Sequence, residues 1–227
     1  MRLSGTDEAG TDDAGTGEAG ADEAGGGPPY DAVILAGGRA ERFGGADKPG
    51  ALVGGVPLVE RVAAAVRAAR TVIVAGPPRD LPGVVFTRED PPGGGPVPAL
   101  RAGLAEVTSP SVVLLAADLP FLETAHVAEL LAVLRGDGTG GTVGGTAGAV
   151  LVDDTGREQW LAGAWRTAVL RAALGAYGGR SLRGLLGPLA PVPVRLAAGA
   201  APPWFDCDSI EDLRAARVRA GERRERA

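Results

Sequence analysis

The amino-acid sequence predicts a single-domain, three-layer α/β/α fold of the Rossmann-like type, in which helices cover both faces of a mostly parallel sheet. Short apolar runs of strand length alternate with longer segments whose apolar residues recur at helical spacing. The strand-like runs are almost continuously apolar, as expected for strands inside a parallel sheet. Without its first 29 residues, the chain has a length that suits one domain with a proper hydrophobic core.

The first half of the chain supplies four predicted strands and three predicted helices. The strands are predicted at residues 31–36 (DAVILA), 71–75 (TVIVA), 84–87 and 111–117 (SVVLLAA). The helices are predicted at residues 57–69, over the apolar stripe 100–107, and at residues 123–135. Pro57 fits the first of these helices because a proline is tolerated at a helix start.

The second half continues the alternation with less regular spacing. Strands are predicted at residues 149–153, 159–165 and 192–196, and helices at residues 166–176, 181–186 and from about residue 209. Ser209 or Asp208 can cap the last helix. The intervening residues 136–148 are rich in glycine and threonine and predict a loop.

Residues 1–29 differ in composition from the rest of the chain. They carry seven acidic residues, one basic residue, no aromatic residue and repeated variants of Asp-Glu-Ala-Gly. Such a segment cannot bury enough apolar surface to offset its ordering entropy, so we expect a disordered acidic tail. Residues 30–227 balance 22 basic against 21 acidic residues and are expected to form the folded domain.

Composition also excludes several classes of protein and site. The near-neutral charge of the folded part argues against nucleic acid as a partner. Cys207 and His126 are the only residues of their types, which excludes an internal disulfide, a cysteine-based metal site and a two-histidine metal site. No apolar run has the length of a membrane span, so we expect a cytoplasmic protein without a membrane partner.

The stretch ILAGGRAERFGGADK begins in the first predicted strand and continues into a glycine-rich loop. Gly37 and Gly38 let the backbone N–H groups approach anionic oxygens, and Arg39, Arg42 and Lys48 add positive charge. Lys48 is the only lysine in the chain, against 22 arginines. The loop therefore predicts a polyphosphate site, although it lacks the Walker A and dinucleotide spacings. The alternative is a solvated glycine-rich turn.

Carboxylates follow other predicted strands at the same edge of the sheet, where open α/β sheets bind ligands. Asp118 ends the central strand and is a candidate Mg²⁺ ligand, because Mg²⁺ prefers a few carboxylates together with substrate phosphate oxygens. The alternative is that Asp118 only stabilises the following turn. Near the C-terminus, Asp206 or Asp208 is a candidate second metal ligand, unless Asp208 only caps the last helix.

Several ordered motifs together resemble a known family. The loop from Leu35 to Lys48 resembles the signature of sugar-nucleotide-type nucleotidyltransferases, and its doubled glycine resembles the molybdenum cofactor guanylyltransferase (MobA-like) branch. Further matches are the D-L-P-F-L that begins at Asp118, the glycine-rich segment after Asp90, residues 159–166, residues 181–183 and residues 205–213. The resemblance covers essentially all of residues 30–227.

The resemblance implies a Rossmann-like nucleotidyltransferase fold and an Mg²⁺-dependent transfer of GMP from GTP to the phosphate of molybdopterin, with release of pyrophosphate. The implied nucleotide-binding residues are Leu35, Ala36, Gly37, Gly38, Arg39, Lys48, Asp90 and Asp118. Asp90 would lie near the base or ribose, and Asp118 would bind Mg²⁺, with Asp208 as a further metal ligand. The implied catalytic residues are Lys48, Arg42 and Asp118. Molybdoenzymes or other cofactor-biosynthesis proteins are further candidate partners.

Two alternatives stay open at the level of the sequence. The chain contains no asparagine, so Asp206 and Asp208 occupy the two asparagine positions of the family's closing F-x-N-x-N motif. Gly95-Pro96-Val97 stands where the family has G-P-L. An enzyme of the same fold that uses CTP, or another phosphorylated acceptor such as phospholactate, is the first alternative. The second is a nucleotide-binding protein without catalytic activity, which the presence of both Lys48 and Asp118 disfavours.

Overall fold

The computed structural model describes residues 28–37, 47–136, 145–197, 199 and 201–226, with side chains described up to residue 221. The predicted acidic tail lies outside these residues except for Pro28 and Pro29, so its disorder and the domain boundary at residue 30 stay predictions. Gly38, Arg39 and Arg42 of the glycine-rich loop also lie outside the described residues.

Nine strands are present in the described part of the chain. They are β1 (Tyr30–Leu35), β2 (Leu52–Val53), β3 (Val56–Pro57), β4 (Val72–Ala75), β5 (Val84–Thr87), β6 (Ser111–Ala116), β7 (Gly148–Val152), β8 (Glu158–Arg166) and β9 (Val192–Arg195). Seven of them form one sheet in the order β5-β4-β1-β6-β8-β7-β9, and β2 and β3 form a separate hairpin. Only β8 pairs antiparallel to its neighbours in the large sheet, which confirms the predicted mostly parallel sheet.

Six α-helices are present in the described part of the chain, five between strands and one after the last strand. They are α1 (Leu58–Ala65), α2 (Pro96–Ala105), α3 (Thr124–Arg135), α4 (Thr167–Ala176), α5 (Leu182–Leu186) and α6 (Ile210–Arg226), with a short 3₁₀ turn at Gly187–Leu189 after α5. The helix α1 ends before residue 69, because the Arg70 N–H donates to the Tyr30 carbonyl and brings the chain alongside β1. The helix α2 begins earlier than predicted, where Gly95, at φ 96°, turns the chain into Pro96.

The two faces of the sheet bury separate apolar clusters, and β1 contributes to both. Ala32 and Ile34 pack with α1 and α3, whereas Val33 and Leu35 pack with α2, α4 and α5. This alternation follows from the two-residue period of a strand. Helices therefore cover both faces of the sheet, and the predicted three-layer architecture is confirmed.

A third apolar cluster joins the C-terminal helix to the part of the chain that follows β6. Phe121, Cys207 and Ala216 are fully or almost fully buried in this cluster, beside the β2–β3 hairpin. The Arg219 guanidinium lies 4.2 Å from the centre of the Phe205 ring, a cation–π contact. These contacts hold the C-terminal segment against the end of β6, which brings its acidic residues to the edge of the sheet.

Among the described residues, no helix combines the length and the apolar character that crossing a bilayer requires.

Candidate active site

The carboxyl ends of β1, β4, β5 and β6 border a cavity of about 530 Å³, which is within the usual size range of small-molecule sites. The N-terminal turn of α2 forms one wall, and Leu161 of the antiparallel strand β8 contributes to another. Small side chains shape its floor, because Ala36, Ala116 and Ala117 leave room above the ends of the two central strands.

Six of the residues predicted from the sequence line this cavity, namely Leu35, Ala36, Gly37, Lys48, Asp118 and Asp208. Asp90 is exposed and is not among the lining residues, whereas its neighbour Glu89 is. Asp206 does not line the cavity either. The structure therefore brings together the start of the glycine-rich loop, its last residues, the end of β6 and one acid from the C-terminal segment.

The floor of the cavity is built by hydrogen bonds that continue the sheet beyond its strands. The Ala36 N–H donates to the Ala75 carbonyl at 2.9 Å, and the Ala117 N–H donates to the Leu35 carbonyl at 3.1 Å. The chain packs so closely here that a Cβ on Gly76 would lie 3.0 Å from the Ala36 backbone. This close packing fixes the position at which Gly37 begins the glycine-rich loop.

Lys48 lies between two carboxylates at the rim. Its Nζ is 2.5 Å from Asp118 Oδ2 and 2.7 Å from Asp208 Oδ1. Burial alone would lower the pKa of the ammonium, but the attraction of Asp118 and then of Asp208 outweighs this effect and raises the pKa above its ordinary value. Lys48 is therefore a permanent cation at neutral pH and cannot serve as a general base there.

One carboxylate oxygen of Asp118 has no hydrogen-bond partner in the part of the chain that the structure describes. Oδ2 contacts Lys48, while Oδ1 is buried and has no hydrogen-bond partner among the described residues. The Cys207 N–H donates to the Asp118 carbonyl at 3.1 Å, and this bond sets Asp208 beside Lys48. An unpartnered buried carboxylate oxygen is costly unless a ligand or a cation supplies the missing contact.

The acidic residues around Lys48 repel one another. Partial burial raises the pKa of Asp206, and the carboxylates of Asp208 and Asp118 raise it further. A divalent cation would relieve this repulsion, and Asp118 and Asp208 are the acids of this group that line the cavity. The described residues contain no cluster of three or more potential ligand side chains, so a bound Mg²⁺ would take its remaining ligands from water and substrate oxygens. This donor set fits Mg²⁺.

A second ion pair fixes the residue before Lys48. Both Arg79 terminal nitrogens donate to the two Asp47 carboxylate oxygens at 2.5 Å, and this hydrogen bonding holds the pKa of Asp47 below its usual range. Gly50 makes room for the pair, since a Cβ there would lie 2.2 Å from Asp47 Oδ2. Arg79 and Asp47 both line the cavity. We did not predict either residue from the sequence, although Asp47 directly precedes Lys48.

Glu89 is a further buried acid at the cavity, whereas only its neighbour Asp90 was predicted to bind the nucleotide. It is only 9% exposed, and its Oε1 accepts the Gly93 N–H at 2.9 Å. Its Oε2 is buried and has no hydrogen-bond partner among the described residues. The signal available in the sequence was an acidic residue before a glycine run, but that pattern does not distinguish Glu89 from Asp90.

The lining residues that the structure describes include no serine, threonine, cysteine or histidine. Cys207 lies behind Asp118, where burial first and then the Asp118 charge raise the pKa of its thiol to about 12, so the thiol stays protonated. The arrangement combines a cation, free carboxylate oxygens and an apolar floor. It suits the binding and direct transfer of a phosphate group more than covalent catalysis by a side chain.

Comparison with known proteins identifies the family to which the fold and the sequence motifs correspond. The family model of the MobA-like NTP transferase domain matches residues 32–194. A curated relative, the probable molybdenum cofactor guanylyltransferase of Haloferax mediterranei, is 34% identical over 118 residues, which is 48% of this chain and 56% of the relative. The chain spans about half of the length of the curated relatives that it matches.

Solved structures share the fold at low sequence identity. Molybdopterin-guanine dinucleotide biosynthesis protein A from Archaeoglobus fulgidus aligns with a TM-score of 0.66 and 16% identity, over 85% of this chain and 99% of that one. The 2-C-methyl-D-erythritol 4-phosphate cytidylyltransferase of Thermus thermophilus aligns with a TM-score of 0.59 and 22% identity, over 83% and 98% of the two chains. The fold is therefore common to proteins whose names carry different nucleotide bases.

Proposed function

The chain belongs to the MobA-like NTP transferase domain family, and from this premise we propose that it transfers GMP from GTP to the phosphate of molybdopterin and releases pyrophosphate. The observation that carries the proposal is Lys48, held between Asp118 and Asp208 at the mouth of the cavity. The choice of guanine and of molybdopterin rests on the curated relatives, which are named molybdenum cofactor guanylyltransferases.

The reaction needs no covalent enzyme intermediate. An oxygen of the acceptor phosphate attacks the α-phosphorus of the nucleotide, a new phosphorus–oxygen bond forms, and the bond to the pyrophosphate oxygen breaks. Enzymes accelerate such displacements mainly by positioning the reactants and stabilising the developing charge. The absence of hydroxyl, thiol and imidazole side chains among the described lining residues agrees with direct transfer.

In this proposal the phosphates of the nucleotide lie over the ends of β1 and β6. The backbone of Leu35, Ala36 and Gly37 borders the nucleotide, and the ammonium of Lys48 offsets the negative charge on the α-phosphate. Gly38, Arg39 and Arg42, which lie outside the described residues, are assigned to the phosphates by the sequence of the loop. Asp90, being exposed, is the least supported of the predicted nucleotide ligands.

The proposal includes Mg²⁺, with Asp118 and Asp208 as its protein ligands. Asp118 Oδ1 has no hydrogen-bond partner among the residues that the structure describes and could coordinate an ion, and both carboxylates line the cavity. When bound, the ion would neutralise charge on the phosphates and on the departing pyrophosphate. Lys48 then has phosphate oxygens available as partners in place of the two carboxylates.

The proposal is tested by measuring pyrophosphate release from GTP, CTP, ATP and UTP, each with and without molybdopterin and with and without Mg²⁺. We expect release that requires GTP, molybdopterin and Mg²⁺ together. A clear preference for CTP would replace the guanylyl assignment by a cytidylyl one, and release that ignores molybdopterin would remove the acceptor assignment. Nucleotide binding without any turnover would favour a non-catalytic nucleotide-binding protein.

A further inference from the structure

Arg79 is a cation at the cavity to which the proposed transfer reaction gives no role. Its side chain is 20% exposed, lines the cavity and lies in the connection between β4 and β5. Both terminal nitrogens donate to Asp47 at 2.5 Å, and Nε is buried without a partner among the described residues. Because Asp47 neutralises the guanidinium and occupies its fork, this pairing points to a contact made within the protein more than to an arginine that binds phosphate.

The partner of Arg79 directly precedes Lys48 in the chain. After Lys48 the chain turns, and the Ala51 N–H closes this turn by donating to the Lys48 carbonyl at 3.1 Å. Before Lys48, the bidentate pair ties Asp47 to the connection that follows β4. The backbone of Lys48 is therefore held on both sides, by a hydrogen bond after it and by the ion pair before it.

Gly50 leaves the space that this pair occupies. A Cβ on Gly50 would lie 2.2 Å from Asp47 Oδ2 and 3.0 Å from Arg79 Nη1. The φ of Gly50 lies outside the left-handed region, so the position requires a glycine for its space and not for its backbone conformation. The residue two positions after Lys48 is thus matched to a pair formed by the residue before it, which indicates that the pair and the turn act as one unit.

We propose that the Arg79–Asp47 pair positions the Lys48 ammonium for the α-phosphate, and this inference rests on the proposed transfer reaction. Catalysis by a placed charge tolerates little displacement, since a shift of about 1 Å can cost roughly 100-fold in rate. The lysine side chain is long and flexible, so a fixed backbone narrows the range of positions that its ammonium reaches. Asp47 is 57% exposed, and so exposed a pair contributes little to folding stability. Its loss should therefore change the order of Lys48 and the rate of turnover more than the stability.

Two substitutions disturb the pair in different ways. Arg79→Gln removes the positive charge and the fork, whereas Gly50→Ala keeps both charges and forces the carboxylate away from its position. Arg67→Gln, at an exposed arginine, and Gly175→Ala, where a Cβ meets no atom within 4 Å, are the matched controls. An effect that the first two variants share and the controls lack cannot result from the loss of a charge alone.

The first measurement uses the fact that Lys48 is the only lysine of the chain. Labelling the full chain with ¹³C-lysine gives a single lysine side-chain spectrum, and the relaxation of its Cε reports how tightly the side chain is held. Without nucleotide or metal, we expect a high order parameter for Cε in the unmodified protein and in both controls. It should fall in Arg79→Gln and in Gly50→Ala. An unchanged order parameter in these two variants would overturn the inference.

The second measurement asks whether Arg79 acts through Lys48. In pyrophosphate release from GTP with molybdopterin and Mg²⁺, Arg79→Gln should lower kcat roughly 10- to 100-fold, with a smaller change in KM. The same substitution should have no further effect in a Lys48→Ala background, because the group that it positions is then absent. A full effect of Arg79→Gln in that background would overturn the inference and show that Arg79 contacts the nucleotide itself.

The two measurements separate this inference from the proposed function. If Lys48 loses order in both variants and the unmodified protein releases no pyrophosphate from any nucleotide, the proposed transfer fails while the pair is still shown to hold Lys48. If release requires GTP and Mg²⁺ but Lys48 stays equally ordered in both variants, the proposed function stands and the inference fails. The inference also fails if kcat falls only in proportion to a loss of folded protein, measured by circular dichroism.

Discussion

Lys48 combines two properties that an arginine would not reproduce. Its compact ammonium contacts Asp118 and Asp208 at once, and its side chain is only 22% exposed. A guanidinium is planar and fork-shaped and would need more space between the same carboxylates. The other 22 Lys or Arg positions of the chain are all arginine. We therefore expect the compact shape of the Lys48 side chain, in addition to its charge, to matter at this position.

We therefore expect Lys48→Arg to lower kcat/KM for pyrophosphate release roughly 10- to 100-fold, because a displaced cation no longer meets the α-phosphate. Steady-state kinetics with GTP and molybdopterin would measure the change. The exchange in the opposite direction at an exposed site, Arg67→Lys, provides the control and should leave kcat/KM unaltered. An active Lys48→Arg enzyme would show that charge alone is sufficient at this position.

The sequence indicated Lys48 and Asp118 because each belongs to a local pattern. The first ends a glycine-rich loop after a strand, and the second ends the most apolar strand of the chain. Arg79 belongs to no such pattern, and the glycine run after Glu89 does not distinguish Glu89 from Asp90. Arg79 depends on a partner 32 positions away, and the burial of Glu89 depends on how the turn at Gly93 folds back over it. Such contacts follow from tertiary structure and are not encoded in spacing.

At the scale of elements, the helix α2 is the part of the fold whose position bears most directly on the cavity. Gly95, Pro96 and Ala99, at its N-terminal end, line the cavity, and its other end packs on β1 through Gly103. A Cβ at residue 103 would lie 2.6 Å from Val33 Cγ1, so only glycine allows this approach of helix to strand. The position of α2, whose N-terminal end lines the cavity, thus depends on a close contact between this helix and β1.

The substitution Gly103→Ala should lower the free energy of unfolding by about 1–3 kcal/mol, despite the higher helix propensity of alanine, because it overpacks the core. Urea denaturation monitored by circular dichroism would measure this loss. Gly175→Ala in α4 is the control, since a Cβ there meets no atom within 4 Å. It should be neutral or stabilise by up to about 1 kcal/mol. Equal effects of the two substitutions would contradict the packing described for α2.

The long elements were predictable because their apolar spacing is regular, but others were not. The hairpin of β2 and β3 has two residues in each strand, too few for a periodic signal. The apolar pattern of β8 did not indicate whether this strand runs parallel or antiparallel to its neighbours. Yet β7 and β8 are joined by only residues 153–157, and a connection that short excludes a parallel crossover. Loop length would therefore have revealed the antiparallel strand.

At the scale of the whole molecule, the candidate site brings together residues that are far apart in the sequence. Lys48 and Asp208 are 160 positions apart, and they meet because the third apolar cluster seats the C-terminal segment beside β6. The mostly parallel sheet brings the ends of β1, β4, β5 and β6 to one edge, so the residues that border the cavity follow from strand order. The sequence predicted this common edge, whereas the order of the strands along it required the structure.

We propose that Asp118 and Lys48 form the centre for nucleotidyl transfer at this edge. The most direct test is pyrophosphate release from GTP by Asp118→Asn in the presence of molybdopterin and Mg²⁺, with Glu129→Gln on the exposed side of α3 as the control. We expect the Asp118→Asn variant to keep its fold by circular dichroism and to lose about 100-fold or more of the Mg²⁺-dependent rate, while the control retains it. Undiminished turnover by Asp118→Asn at the same Mg²⁺ concentration would contradict the account.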